Sequence, residues 1–116
     1  MKFGGYLRQL RENRELKQSD LSEAIGVSPV YVCDIEKDRR YPPDLKKLNV
    51  WVDLLKLTPV ESARLFDLAG QARSGIAPDI SAYLDGNPSA REAIRRIMGQ
   101  QREYDWNMIL PDKRVF

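Results

Sequence analysis

The chain has 116 residues, and its 19 basic and 17 acidic side chains leave a net charge of only +2. This length fits one domain, or a small domain with an extension. With one cysteine and no histidine, the sequence excludes an internal disulfide and a histidine-based catalytic triad and argues against a zinc site. We therefore expect neither an enzyme nor a cofactor.

The same composition predicts where the protein works. No segment approaches the ~20 consecutive apolar residues that span a membrane, and the N-terminus shows no apolar signal segment. A single cysteine fits a reducing compartment. We expect a cytoplasmic protein that does not associate with membranes.

Three helices are predicted in the first third of the chain, the first at about residues 4–13. The next two meet at Gly26, which tolerates the positive φ that ends a helix in a tight turn. Their apolar residues recur at helical spacing: Leu21 and Ile25, then Val32 and Ile35. Two helices at a steep angle leave the second able to enter a DNA major groove, so the pattern predicts a helix-turn-helix.

A loop and a fourth helix follow. Pro42 and Pro43 disfavour helix before them and predict a loop over residues 39–43. The fourth helix is expected at about residues 44–55, where apolar side chains recur every three or four positions.

A fifth helix is predicted from Thr58, because a Thr cap with Glu61 three residues later forms a capping box. Gly70 or Gly75 is expected to end this helix. The core of the domain is expected to be complete by Leu57.

Residues 71–116 are predicted to form a short helical extension. Helices are expected at 79–84 and 89–101, with Asn87 capping the second. The predicted fold class is all-α, with a five-helix DNA-binding domain at residues 1–70 followed by this extension.

The helix-turn-helix and its surroundings resemble the phage-repressor (Xre/Cro-like) family of transcriptional regulators over about residues 3–57. The matching features outside the hairpin are Leu7, Leu10 and Arg11, Gln18, Ile35 and Glu36, the loop Arg39 to Pro43, and the helical stripe Leu45, Leu48, Val52 and Leu55. The resemblance implies a bacterial or phage-encoded protein whose third helix enters the major groove of double-stranded DNA.

By this resemblance, the exposed start of the third helix meets base edges. The expected base contacts are Ser28, Pro29, Val30, Cys33 and Asp34. Val30 suits a thymine methyl group, and Asp34 suits a cytosine or adenine amino group. The set lacks the Gln, Asn or Arg of bidentate base contacts, so DNA shape is expected to contribute. The alternative for Cys33, a redox-sensing thiol, is less favoured than a small groove-facing residue.

The resemblance also implies contacts to the sugar-phosphate backbone. The expected residues are Lys17, Gln18, Tyr31, Lys37, Arg39 and Arg40. Gln18 opens the second helix, where its amide and the helix N-terminus suit a phosphate. Lys17 stands where many family members have a capping Ser or Thr, so it weakens the cap and adds a cation. Two alternatives stay open: Tyr31 as a partly buried ring, and the basic loop as a solvated segment without a partner.

A structural ion pair between Arg11 and Glu36 is expected from the family pattern. The remaining apolar surface suggests subunit or partner contacts. The expected surface residues are Trp51, Phe66, Trp106, Ile109 and Leu110, the last three within an apolar tail over residues 104–116.

Two functions fit this sequence. The favoured hypothesis is a sequence-specific transcriptional repressor that binds a palindromic operator as a homodimer. The alternative is an antitoxin-like or adaptor protein, whose C-terminal half binds another protein through the segment Trp106–Leu110.

Overall fold

The computed structural model describes residues 1–100 and 105–110. Over these residues the chain is all-helical, which confirms the predicted fold class. The helices are α1 (Phe3–Asn13), α2 (Gln18–Ile25), α3 (Pro29–Glu36), α4 (Leu45–Leu55), α5 (Pro59–Ala72), α6 (Pro78–Asp85), α7 (Pro88–Met98) and a 3₁₀ helix (Trp106–Ile109). None of the described helices is long and apolar enough to span a membrane. Tyr104, Val115 and Phe116 of the predicted apolar tail lie outside the described residues.

The chain divides into two compact units, an N-terminal unit of Met1–Asp79 and a C-terminal unit of Ile80–Phe116. The core of the N-terminal unit is formed by side chains of α1 to α5 and of the segment after α5. Its buried apolar residues are Phe3, Tyr6, Leu7, Leu10, Leu21, Val32, Ile35, Leu48, Trp51, Leu55, Leu65, Phe66, Leu68, Ala69 and Ala77. The expectation that the core is complete by Leu57 is therefore wrong, since α5 supplies four of these side chains.

The start of α5 follows the predicted capping box. The backbone N–H of Glu61 donates to Thr58 Oγ1 at 3.2 Å, and the backbone N–H of Thr58 donates to Glu61 Oε1 at 3.0 Å. Pro59 occupies the first helical position, where its missing N–H leaves no hydrogen bond unmade.

The end of α5 differs from the prediction. The helix continues through Gly70 to Ala72, because Gly70 serves close packing rather than termination. A Cβ atom at this position would lie 2.6 Å from the backbone nitrogen of Ala77. Gly70 therefore lets the chain fold back tightly against α5.

In the C-terminal unit, Arg91 ties α7 to the end of α6. Its Nη1 donates to the carbonyl oxygens of Leu84 and Asp85, at 2.6 and 2.9 Å. Asn87 precedes α7 as predicted, but its side chain does not cap the helix: its amide donates to the Tyr83 carbonyl instead. No side chain of α6 or α7 is buried, so this unit has no apolar core over its described residues.

Candidate nucleic-acid interface

The turn between α2 and α3 is formed by local sequence features. Gly26 ends α2 in the left-handed conformation, with φ 72° and ψ 38°. Ser28 then caps α3, because its Oγ accepts a hydrogen bond from the backbone N–H of Tyr31 at 3.3 Å, and Pro29 takes the first helical position. Ser22 is only 1% exposed, and its small side chain suits the close crossing of the two helices.

Helix α3 has one buried face and one open face. Val32 and Ile35 are fully buried and attach the helix to the core. All five predicted base-contact residues lie outside this buried stripe. Ser28, Pro29 and Val30 are exposed, with Val30 at 68%, while Cys33 and Asp34 are half-buried. The start of α3 is therefore free to meet a groove.

Arg11 and Glu36 form the expected ion pair between α1 and α3. Arg11 Nε lies 2.7 Å from Glu36 Oε2, and Arg11 Nη2 lies 2.9 Å from Glu36 Oε1. Arg11 Nη1 also donates to the carbonyl of Leu16 at 2.9 Å. The hydrogen bond to Glu36 raises the pKa of the Arg11 guanidinium, although burial opposes this rise.

Gln18 belongs to the same hydrogen-bond network. This contact of Gln18 with Glu36 was not predicted from the sequence. Its Nε2 donates to Glu36 Oε1 at 3.0 Å, so one amide N–H is directed at Glu36. An amide nitrogen carries two hydrogens, and the second remains for an acceptor outside the protein. The side chain expected to meet a phosphate is thus held in one orientation by Glu36.

The start of α2 has a different cap from the family pattern. The Lys17 ammonium cannot accept a hydrogen bond, but Asp20 Oδ2 accepts one from the backbone N–H of Lys17 at 2.8 Å. A carboxylate in the first helical turn also stabilises the helix dipole. In the sequence, the acidic residue three positions after the cap position is the feature that could have predicted this hydrogen bond.

The basic segment after α3 presents its cations to solvent. Lys37, Arg39 and Arg40 are all exposed. The Arg40 guanidinium lies over the Tyr31 ring, 4.6 Å from its centroid, and Tyr31 packs partly against the core. The ring is therefore partly buried, and contact of its hydroxyl with a phosphate stays a prediction.

The loop of residues 39–43 is attached to the end of α5. Arg73 Nη2 donates to the Pro42 carbonyl at 2.9 Å, and its guanidinium lies 4.8 Å from the centroid of the Tyr41 ring. Sequence reasoning did not find this contact, because 31 residues separate Arg73 from Pro42 and no local pattern links them.

The expected partner surface needs a correction. Trp51 is completely buried and its Nε1 donates to the Leu21 carbonyl at 2.9 Å, while Phe66 is 7% exposed. Both are core residues, because α2 packs against the helix of Trp51 and α1 packs against the helix of Phe66. Ile109 and Leu110 are 61% and 51% exposed, and Trp106 is 49% exposed.

An exposed second helix on a turn of this geometry defines the helix-turn-helix class of DNA-binding proteins. A family model described as a helix-turn-helix domain matches residues 2–65, and the chain belongs to this family. It is also 33% identical over 67 residues to the ImmF control region 10 kDa protein of Bacillus phage phi105, covering 52% of this chain and 73% of that protein. No solved structure matches the chain significantly.

These comparisons confirm the predicted resemblance to phage-type helix-turn-helix regulators. They support a DNA-binding regulator, a class of protein that is distinct from enzymes.

Proposed function

We propose that this protein is a cytoplasmic, sequence-specific repressor that binds a palindromic operator as a homodimer. The observation that carries this proposal is the open start of α3, where Ser28, Pro29 and Val30 are exposed. Two features suited to phosphates accompany it: Gln18 opens α2, and Arg39 and Arg40 are exposed after α3. An open helix start with such groups suits the major groove, with phosphate contacts beside it.

The proposed base contacts come from the open face of α3. Val30 is 68% exposed and offers methyl groups to thymine, whereas Asp34 accepts hydrogen bonds from amino groups. Backbone contacts are assigned to Lys17, Gln18, Tyr31, Lys37, Arg39 and Arg40. These cations supply affinity that falls as salt rises, because binding releases counterions from the DNA.

Dimerisation follows from the small reach of one recognition helix. A single α3 covers only a few base pairs, whereas a two-fold dimer places two such helices roughly 34 Å apart, one turn of DNA. The C-terminal unit supports this assignment, since α6 exposes Ile80 and Tyr83 and neither α6 nor α7 buries a side chain. Repression would then result from blocking polymerase at a promoter.

The direct test is selection of bound fragments from genomic DNA of the source organism, repeated at low and high salt. We expect one palindromic sequence to be enriched at both salt concentrations. A Val30→Ala variant should relax the preference at one position of each half-site, whereas Arg39→Ala should weaken binding to all sequences. Retention only at low salt, without a common sequence, would contradict the proposal.

An antitoxin-like or adaptor role is a second candidate, favoured by the exposed apolar segment in the C-terminal unit. Met108, Ile109 and Leu110 are 81%, 61% and 51% exposed. In this alternative the segment orders against another protein. A purified monomer whose C-terminal segment is rapidly cleaved by protease would favour this role over the homodimer.

A further inference from the structure

The first half of the loop of residues 39–43 borders a groove. Arg39, Arg40 and Tyr41 are exposed and line a groove of about 920 Å³, which separates them from the start of α1 and the last turns of α5. Pro42 and Pro43 are buried. On the α3 side, the Arg39 backbone N–H donates to the Asp34 carbonyl at 2.9 Å, and the Arg40 guanidinium lies over the Tyr31 ring. The segment that carries the cations expected to meet phosphates is therefore held by α3 at one end and by the buried prolines at the other.

Arg73 reaches this segment from the end of α5. Its guanidinium makes two contacts with neighbouring loop residues, a hydrogen bond to the Pro42 carbonyl at 2.9 Å and a stacking contact with the Tyr41 ring at 4.8 Å. A planar guanidinium can donate in its plane and stack on its face at the same time. Together the contacts fix both a peptide group and a side chain of the loop.

The chain around Arg73 is itself held tightly. Gly75 donates its backbone N–H to the Gly70 carbonyl at 2.8 Å, and Ser74 takes a positive φ of 55°. Ala77, just beyond, packs so closely on Gly70 that a Cβ there would lie 2.6 Å from its nitrogen. Arg73 therefore extends from a closed turn rather than from a frayed helix end.

We propose that Arg73 is a positioning residue for DNA binding, which holds the loop so that Arg39 and Arg40 meet the phosphate backbone. This inference rests on the proposed function. Arg73 acts through Tyr41 and Pro42 and does not touch the DNA. Without Arg73, the loop is mobile in the free protein and must become ordered when DNA binds. The entropy cost of this ordering weakens the affinity.

Arg64, within α5, offers a matched control. It is exposed, and its guanidinium lies 5.0 Å from the centroid of the Tyr6 ring. Arg64→Ala thus removes the same charge and the same kind of ring contact as Arg73→Ala, but at a site away from the loop.

The first measurement needs no DNA. Backbone ¹⁵N order parameters of Arg40 and Tyr41 are compared in wild type, Arg73→Ala and Arg64→Ala. We expect values near the rigid limit of about 0.85 in wild type and in Arg64→Ala, falling towards about 0.6 in Arg73→Ala. Unchanged order parameters in Arg73→Ala would show that Arg73 does not hold the loop.

The second measurement is affinity for the selected operator at several salt concentrations. Arg73→Ala should raise Kd about tenfold with an unchanged slope of log K against log salt, while Arg64→Ala leaves both unchanged. A slope reduced by about 0.9 would reveal a direct phosphate contact and overturn the positioning role, as would an unchanged Kd.

Arg73→Lys separates geometry from charge. Lysine keeps the cation but lacks the planar fork, so we expect it to bind as weakly as Arg73→Ala; wild-type affinity would overturn the proposal. If wild type itself bound no specific sequence, both the proposed function and the role of Arg73 in it would fail. The order parameters would still decide separately whether Arg73 holds the loop.

Discussion

At the scale of single residues, Glu36 is a shared acceptor for two helices. It is 8% exposed and accepts hydrogen bonds from Arg11 and from Gln18. We predict that Glu36→Ala destabilises the N-terminal unit by ~3 kcal/mol, because it leaves the partly buried guanidinium without its counterion. The melting temperature should fall by roughly 10 °C or more, measured by circular dichroism.

A matched control for this substitution is Glu12→Ala. Glu12 pairs with Arg8 at 2.6 Å, but both side chains are more than half exposed, so its loss should change stability by less than ~1 kcal/mol. Equal melting temperatures for Glu36→Ala and wild type would contradict a stabilising role for the buried pair.

Glu61 is a second residue whose interactions affect the stability of the fold, and this effect depends on pH. The hydrogen bond from the Thr58 backbone N–H lowers the pKa of the Glu61 carboxyl, Arg14 lowers it further at 2.9 Å, and partial burial opposes them. A lowered folded-state pKa means that the ionised form stabilises the fold above the unfolded pKa of ~4.3, and that this stabilisation disappears at lower pH.

We therefore predict that Glu61→Gln is less stable than wild type at pH 7 and that the difference shrinks as the pH falls below ~4.3. Urea denaturation at a series of pH values measures this. A stability difference that stays constant down to pH 2 would show that the charge of Glu61 has no part in it.

At the scale of elements, the start of α1 lies against the end of α3. A Cβ on Gly4 would lie 2.4 Å from the Ile35 carbonyl oxygen, and the Gly4 N–H donates to Asp38 Oδ1 at 3.0 Å. This close approach fixes the C-terminal end of α3, the proposed recognition helix, against α1.

We predict that Gly4→Ala destabilises the fold by ~2 kcal/mol or more, because backbone must move to admit the methyl group. Gly5→Ala is the control, since its nearest neighbour would be the Met1 side chain at an ordinary 3.6 Å. Alanine should there stabilise the helix by up to ~1 kcal/mol. Chemical denaturation of both variants gives the comparison, and equal effects would exclude the steric explanation.

At the scale of the whole molecule, the C-terminal unit is too small to bury a core alone. It spans Ile80–Phe116, and units below about 40 residues usually need a disulfide, a metal or association with another chain. We predict that Ile94→Asp, at a half-buried position of α7, converts a dimer into a monomer and weakens operator binding about 100-fold.

The neighbouring Ala93→Asp is the control for this prediction. It adds the same charge to α7 at an exposed position, and it should leave the dimer intact. Sedimentation velocity distinguishes the two species. Wild-type protein that sediments as a monomer at concentrations where it binds its operator would contradict the dimeric mechanism.

The sequence by itself determined the local features of this protein. The Gly26 turn, the Ser28 cap and the capping box of Thr58 and Glu61 depend on groups within four residues of one another, so their patterns are visible in the chain. The all-α class and the open face of α3 follow from the same periodicity. The Arg11–Glu36 pair was expected only because the family pattern supplied it.

Only the tertiary structure decided which side chains are buried by the packing of other helices. Trp51 and Gly70 looked like a surface residue and a helix end, but helix packing makes the first a core residue and the second a close-contact point. The contacts of Gln18 with Glu36 and of Arg73 with Pro42 span 18 and 31 residues. Such pairings depend on how the helices pack in space, and no periodicity along the chain records that arrangement.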